Sequence, residues 1–189
     1  MADFKIAQKI TGGHEGGYAN NKADTGGETM FGISRVHNPN WAGWPVVDTV
    51  KGQYPGNFVK LLNTHPGLRA LADAYFKAAY WDVYSLDLVA NQSIANEVYD
   101  TGINCGTGVA ARFLQRAINV TNNRGRYAPD VVVDGKIGPA TIGALNSHKR
   151  PVDVFKALNC LQGAYYIGIA ERSPSQEQFM ASWLSRVSA

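Results

Sequence analysis

A mostly helical fold with one small β-hairpin is predicted by three features of this sequence. Apolar residues recur at three- and four-residue spacing in successive stretches, the longest from Pro151 to Ile169. The glycine pairs Gly16-Gly17 and Gly26-Gly27 flank a polar run too poor in apolar residues for a helix, which reads as an irregular hairpin near residues 15–33. The chain of 189 residues, 45% hydrophobic and 17% charged, can bury a real core as one domain or as a domain with an appended lobe. Nothing in it suggests disorder or a solenoid repeat.

In chain order, Asp3 can cap a first helix carrying Phe4, Ala7 and Ile10 on one face, and Gly12-Gly13 ends it. Glu15 therefore sits at a helix exit, and the hairpin that follows would fold Asp24 and Thr29 back towards it. A carboxylic acid beside an apolar wall has its pKa raised and can donate a proton near neutral pH, while a second carboxylate in wetter surroundings stays ionised. Two such groups around one cleft suit hydrolysis of a glycosidic bond. Glu28 reads as a solvated loop charge. Tyr18 can buttress the hairpin or touch a sugar.

Residues 35–55 are punctuated by Pro39, Asn40, Gly43, Pro45, Gly52 and Pro55, too often for a long regular element. Trp41 and Trp44 are expected to pin this loop to the core, with sugar stacking as the alternative. From Pro66 the pattern is helical through Leu68, Leu71, Ala72, Tyr75 and Ala79. Tyr80-Trp81 reads as a hydrophobic clamp. A helix over roughly 92–101 leads into Asp100-Thr101-Gly102-Ile103-Asn104-Cys105-Gly106, whose polar side chains could line a cleft or tie helices together.

The apolar positions Ala110, Phe113, Leu114, Ala117 and Ile118 mark the next helix. Asp134-Gly135 and Gly138-Pro139 then form a turn feeding a proline-started helix. The longest helix begins at Pro151, and Ser173-Pro174-Ser175 breaks it. A final helix presenting Phe179, Trp183 and Val187, with Arg186 beside them, is expected to dock onto the core.

Charge is uneven. Residues 1–100 carry eight Lys/Arg against ten Asp/Glu, and residues 101–189 ten against five. The basic second half suits acidic wall polymers, anionic lipid or nucleic acid, or is a solubilising surface; no nucleic-acid recognition motif accompanies it. Cys105 and Cys160 are too few for a disulfide framework and are expected to be reduced, buried thiols. His14, His37, His65 and His148 lack ligand spacing, so no metal and no cofactor are expected. No apolar stretch has signal-peptide or membrane-span length. A soluble, cytoplasmic protein with no integral membrane segment is therefore expected.

The run Glu15-Gly16-Gly17-Tyr18 with Asp24, Gly26-Gly27, Thr29 and Phe31-Gly32-Ile33 resembles the signature of glycoside hydrolase family 108, N-acetylmuramidases found among phage endolysins. The order Glu, eight residues, Asp, four residues, Thr is also similar to the Glu/Asp/Thr triad of phage-type lysozymes, one residue shorter in its second gap. Tyr80-Trp81-Asp82 and Asp100-x-x-x-Asn104-x-Gly106 resemble further family segments. Leu114-Gln115-Arg116-Ala117 with Asp134-Gly135-x-Ile137-Gly138-Pro139-x-Thr141 resembles a helical peptidoglycan-binding module. The resemblance implies a lysozyme-like fold with the hairpin next to the catalytic Glu, a catalytic lobe over 1–97 and a peptidoglycan-binding-like lobe over 98–189.

It further implies hydrolysis of the bond between N-acetylmuramic acid and N-acetylglucosamine. Glu15 would be the general acid, Asp24 and Thr29 would position water or stabilise the transition state, and Tyr18 and Asn104 would contact substrate. A monomer waiting in the host cytoplasm for a holin or other export route completes the expectation. The rivals are a lytic transglycosylase and a noncatalytic peptidoglycan-binding protein.

Overall fold

The computed structural model describes residues 1–11, 16–20 and 27–187. Two compact units make up the chain, a smaller one of Gln8–Ala79 and a larger one of Met1–Ala7 with Tyr80–Ala189. The expected helix exit at Gly12-Gly13, and with it Glu15 and Asp24, lies outside the described residues.

The smaller unit begins in the second half of α1 (Phe4–Thr11) and contains an antiparallel sheet of β1 (Tyr18–Asn20), β2 (Glu28–Met30) and β3 (Ile33–Ser34) in that order. Tyr18 pairs with Met30, Ala19 with Thr29, and Thr29 in turn with Ser34. The β2–β3 link is the two-residue turn Phe31-Gly32, with φ values of 50° and 79°. Two left-handed residues match the twist of a hairpin, and glycine takes that conformation freely. Phenylalanine does not. Phe31 is held there by burial to 1% exposure and by the Arg69 guanidinium, 3.8 Å from its ring centre.

Residues 35–55 depart from expectation, because they contain the ten-residue helix α2 (Trp44–Gln53). Its proline falls in the first turn, where no intrahelical N–H is needed, and Gly52 falls in the last, so neither breaks the ladder. Trp44, Val47 and Val50 face inward. Trp41 and Trp44 do pin the segment: both are buried, they meet edge to face at 5.0 Å, and Trp44 Nε1 donates to the Asn38 carbonyl at 2.7 Å. A short helix α3 (Phe58–Asn63) precedes α4 (Pro66–Phe76), whose N-terminus is capped by His65 Nδ1 accepting from Leu68 N at 3.2 Å.

In the larger unit, Trp81 is fully buried, meets Phe4 and Tyr99 edge to face, and donates through Nε1 to Asp87 Oδ1 at 2.7 Å. Helix α5 (Gln92–Cys105) is capped by the Asn91 side chain, which accepts from Ile94 N. It packs with α6 (Thr107–Thr121) and α8 (Pro151–Arg172) around Ile94, Val98, Leu114, Ile118 and Leu158. Proline opens α7 (Pro139–Ser147) as expected. The short α9 (Met180–Leu184) docks: Trp183 stacks on Tyr166 at 5.3 Å and an interplanar angle of 20°. Cys160 contradicts expectation; its position on α8 faces outward and it is an exposed free thiol, whereas Cys105 is half-buried.

Between α6 and α7 the chain has no regular structure over 128–138, yet backbone groups of Val131, Gly135 and Lys136 are hydrogen-bonded by side chains. Three amides at i, i+4 and i+7, two on α6 and the third at its C-cap, lace it down. The buried Gln115 donates through Nε2 to Asp134 Oδ1 and the Lys136 carbonyl, and its Oε1 accepts from Gly135 N. Asn119 makes a two-point bond to Val131, giving to its carbonyl and receiving from its N–H, both at 2.8 Å. Asn122 donates to Asp130 Oδ1 and accepts from Gly125 N. One face of one helix thus substitutes for a neighbouring strand.

Candidate functional site

Two of the expected site residues sit on adjoining strands of the sheet. Strand alternation and the observed register place Tyr18 on the face of Glu28 and Met30, and Thr29 on the opposite face beside Ala19 and Ser34. Thr29 is half-buried on the middle strand. Glu15 and Asp24 fall outside the described residues, in segments that lead into β1 and β2. Asn104 lies in the larger unit.

On the Tyr18 face the side chains form a buttress. Tyr18 Oη donates to Glu28 Oε1 at 2.7 Å, a diagonal cross-strand pair, and the Tyr18 ring meets Phe58 edge to face at 5.3 Å. Lys51 Nζ, from α2, reaches the same Glu28 oxygen at 2.6 Å. Arg35 lies 4.4 Å over the Trp44 ring, grips Asp48 with two nitrogens, and sets its Nε 2.7 Å from Glu28 Oε2 in a charge contact whose N–H is not aligned as a hydrogen bond. Burial pushes the Glu28 carboxyl up, but the bonds from Lys51 and Tyr18 and the Arg35 charge outweigh it, leaving its pKa below the ordinary value. The Lys51 ammonium is raised chiefly by its bond to Glu28, and the Tyr18 phenol chiefly by burial.

Glu28 is therefore a braced cross-strand anchor, which corrects its reading as a solvated loop charge. Three partners converge on it from β1, α2 and the segment after β3, a convergence that sequence spacing does not display. Replacing it by Ala is expected to cost about 1.5–3 kcal/mol, the range for hydrogen bonds to a charged group, read as a lowered midpoint in chemical denaturation at pH 7. Because its folded pKa is depressed, its stabilisation is complete above the ordinary value of 4.5 and is lost as pH falls through the lower folded value. Glu28→Gln should abolish that part of the acid sensitivity.

In the larger unit the Asp100-x-x-x-Asn104-x-Gly106 segment ties elements together. Asp100 accepts from Arg186 Nη1 at 2.8 Å, near the C-terminus, and from Gln162 Nε2 of α8 at 3.1 Å. Asn104 is exposed, and its Nδ2 donates to the Asp100 carbonyl of its own helix. Beside them sits Glu97, a carboxyl missed by the sequence reading, 6% exposed. Burial, aided by the Asp100 charge and opposed by the Thr101 hydroxyl, pushes its pKa up to about 8. Among the described residues its Oε1 lacks a hydrogen-bond partner, as does the buried Gln162 Oε1, while the Tyr166 hydroxyl meets the Cys105 thiol. The same surroundings raise the Cys105 thiol to about 11, burial again first among the causes. The signal for Glu97 was its place between Ile94, Val98 and Thr101 on the inward stripe of α5.

Comparison with known proteins gives this arrangement its context. The Glycosyl hydrolase 108 family matches residues 8–106, and the family described as Predicted Peptidoglycan domain matches residues 109–188. No curated protein matches the chain in sequence. Among solved structures, that of Brucella abortus SagA aligns with a TM-score of 0.63 at 21% identity, covering 97% of this chain and 88% of that one. The mostly helical, lysozyme-like fold expected from the sequence is thus the observed one. A glycosyl hydrolase segment over more than half the chain, followed at once by a peptidoglycan domain, places this protein in the glycosyl hydrolase 108 family, as a muramidase-type glycoside hydrolase acting on peptidoglycan.

Proposed function

We propose that the protein is an endolysin that hydrolyses the β-1,4 bond between N-acetylmuramic acid and N-acetylglucosamine. Glu15 protonates the leaving glycosidic oxygen. Asp24, kept ionised, and Thr29 position the attacking water or stabilise the oxocarbenium-like transition state. Asn104 is a sugar contact of the larger unit, whereas Tyr18, on the face opposite Thr29 and bonded to Glu28, braces the sheet. The observation that carries this reading is the register of the sheet: the segments bearing Glu15 and Asp24 enter paired strands, β1 and β2, and Thr29 stands on the second of these, on the face away from the Glu28 buttress. Residues 1–97 act as the catalytic lobe and 98–189 as the wall-binding lobe in this reading, and the order of the two family segments, 8–106 and then 109–188, supports it. The enzyme acts as a monomer and reaches the wall from the host cytoplasm through a holin-type lesion. Among the described residues no helix is long and apolar enough to cross a membrane.

The deciding experiment is mass spectrometry of the soluble fragments released from purified peptidoglycan. Muramic acid at new reducing ends is the expected product. Anhydro-muramic ends would instead identify a lytic transglycosylase, and retention on the wall without cleavage a binding protein.

A further inference from the structure

We propose that Asn63, the last residue of α3, is a positioning residue for the catalytic acid, and that it is the reason residue 17 carries no side chain. The inference rests on the reading of Glu15 as that acid. Asn63 Oδ1 accepts a hydrogen bond from Tyr18 N at 2.7 Å. The same amide lies flat against Gly17: a Cβ built there would come within 2.6 Å of Asn63 Cγ and Nδ2, and nearer still to Oδ1, where real contacts stay beyond 3.0 Å. Asn63 could swing clear only by releasing Tyr18 N.

Gly16 makes the contrast. A Cβ there meets nothing within 4 Å among the described residues, and its backbone is not left-handed. Of the two glycines after Glu15, the second is the one that the described residues demand, and Asn63 makes the demand. Gly17 is held from another side as well, since its carbonyl accepts from Phe31 N at 3.3 Å at the hairpin tip. Tyr18 is fixed in turn through its hydroxyl on Glu28. The backbone two and three residues beyond Glu15 is thereby clamped between α3 and the β2–β3 hairpin. A general acid must meet its oxygen within hydrogen-bond reach, and small misplacements are expensive in rate.

The test is a double-mutant cycle with steady-state kinetics on soluble glycan chains from peptidoglycan, well below the unfolding temperature. Asn63→Ala and Gly17→Ala should each lower kcat by about 10- to 100-fold with little change in KM, on the scale expected of a displaced catalytic group. Gly16→Ala should stay near wild type. In the double variant the Cβ at position 17 has room, so it should be no slower than Asn63→Ala alone. Asn63→Asp, which keeps an acceptor for Tyr18 N, should recover most of the activity. If Gly17→Ala does not fold, the Ala and Asp variants of Asn63 carry the test through kcat alone. Wild-type kcat in Asn63→Ala, or strictly multiplicative losses in the cycle, would overturn the proposal. A fully active Glu15→Gln enzyme would overturn the underlying reading instead, whatever the cycle shows.

Discussion

Glu15→Gln should fold as the wild type does and release muramic-acid reducing ends at least 10²- to 10⁴-fold more slowly, the usual contribution of a positioned general acid. Glutamine keeps the shape and polarity of the side chain but has no proton to give to a departing sugar oxygen. The expected pattern is a collapsed kcat, wall binding by the second half intact, and an unchanged thermal midpoint. Asp24→Asn should be less damaging, because a residue that orients water leaves the protonation step in place. Fragment release unaffected by Glu15→Gln would move the acid elsewhere in the chain.

Glu97→Gln should stabilise the protein at alkaline pH and leave it nearly unchanged in acid. The folded chain holds the Glu97 proton until about pH 8, whereas an ordinary carboxyl releases it near 4.5. Between those values folding takes up a proton, so stability falls as pH rises through this window and levels off above it. At 1.36 kcal/mol for each pH unit, the penalty above pH 8 levels off at roughly 5 kcal/mol. The groups facing Glu97 reinforce that sign: Asp100 of the same helix raises its pKa, while the Thr101 hydroxyl opposes it only in part. Nearby, Tyr166 of α8 and Cys105 are held neutral, and Arg186 is already taken by Asp100. Urea denaturation of both proteins from pH 5 to 9 gives the comparison. Parallel curves would show that Glu97 keeps an ordinary pKa in the folded chain.

Long apolar periodicity made most helices legible. The helices starting at Pro66, Pro139 and Pro151 all appear where proline and the three-to-four spacing put them, because a first-turn proline and an apolar stripe act locally. Helix α2 was obscured by the same residue type, since Pro45 among other breakers looks like a loop until burial of Val47 and Val50 decides the matter. The pairing of β1 with β2 followed from the glycine pattern, but its buttress did not. Glu28, Lys51 and Arg35 are distant in sequence, and only the fold brings them into contact. Asn63 was invisible for a similar reason: its role is to fill the space beside a glycine 46 positions earlier. Family resemblance named Glu15, Asp24 and Thr29, whereas the packing around Gly17 and Tyr18 explains what keeps β1 and β2 in register.

The amide lacing on α6 has a consequence for where the enzyme can work. Gln115, Asn119 and Asn122 are neutral, and each meets backbone or a carboxylate, so that brace contains no cation–anion pair for dissolved ions to weaken. The sheet's buttress, built from Glu28, Lys51, Arg35 and Asp48, does contain such pairs. Rising ionic strength therefore slackens the hairpin while the brace between α6 and α7 keeps its hold. Dissolved ions therefore bear on the sheet of the first family segment and leave the lacing of the second untouched.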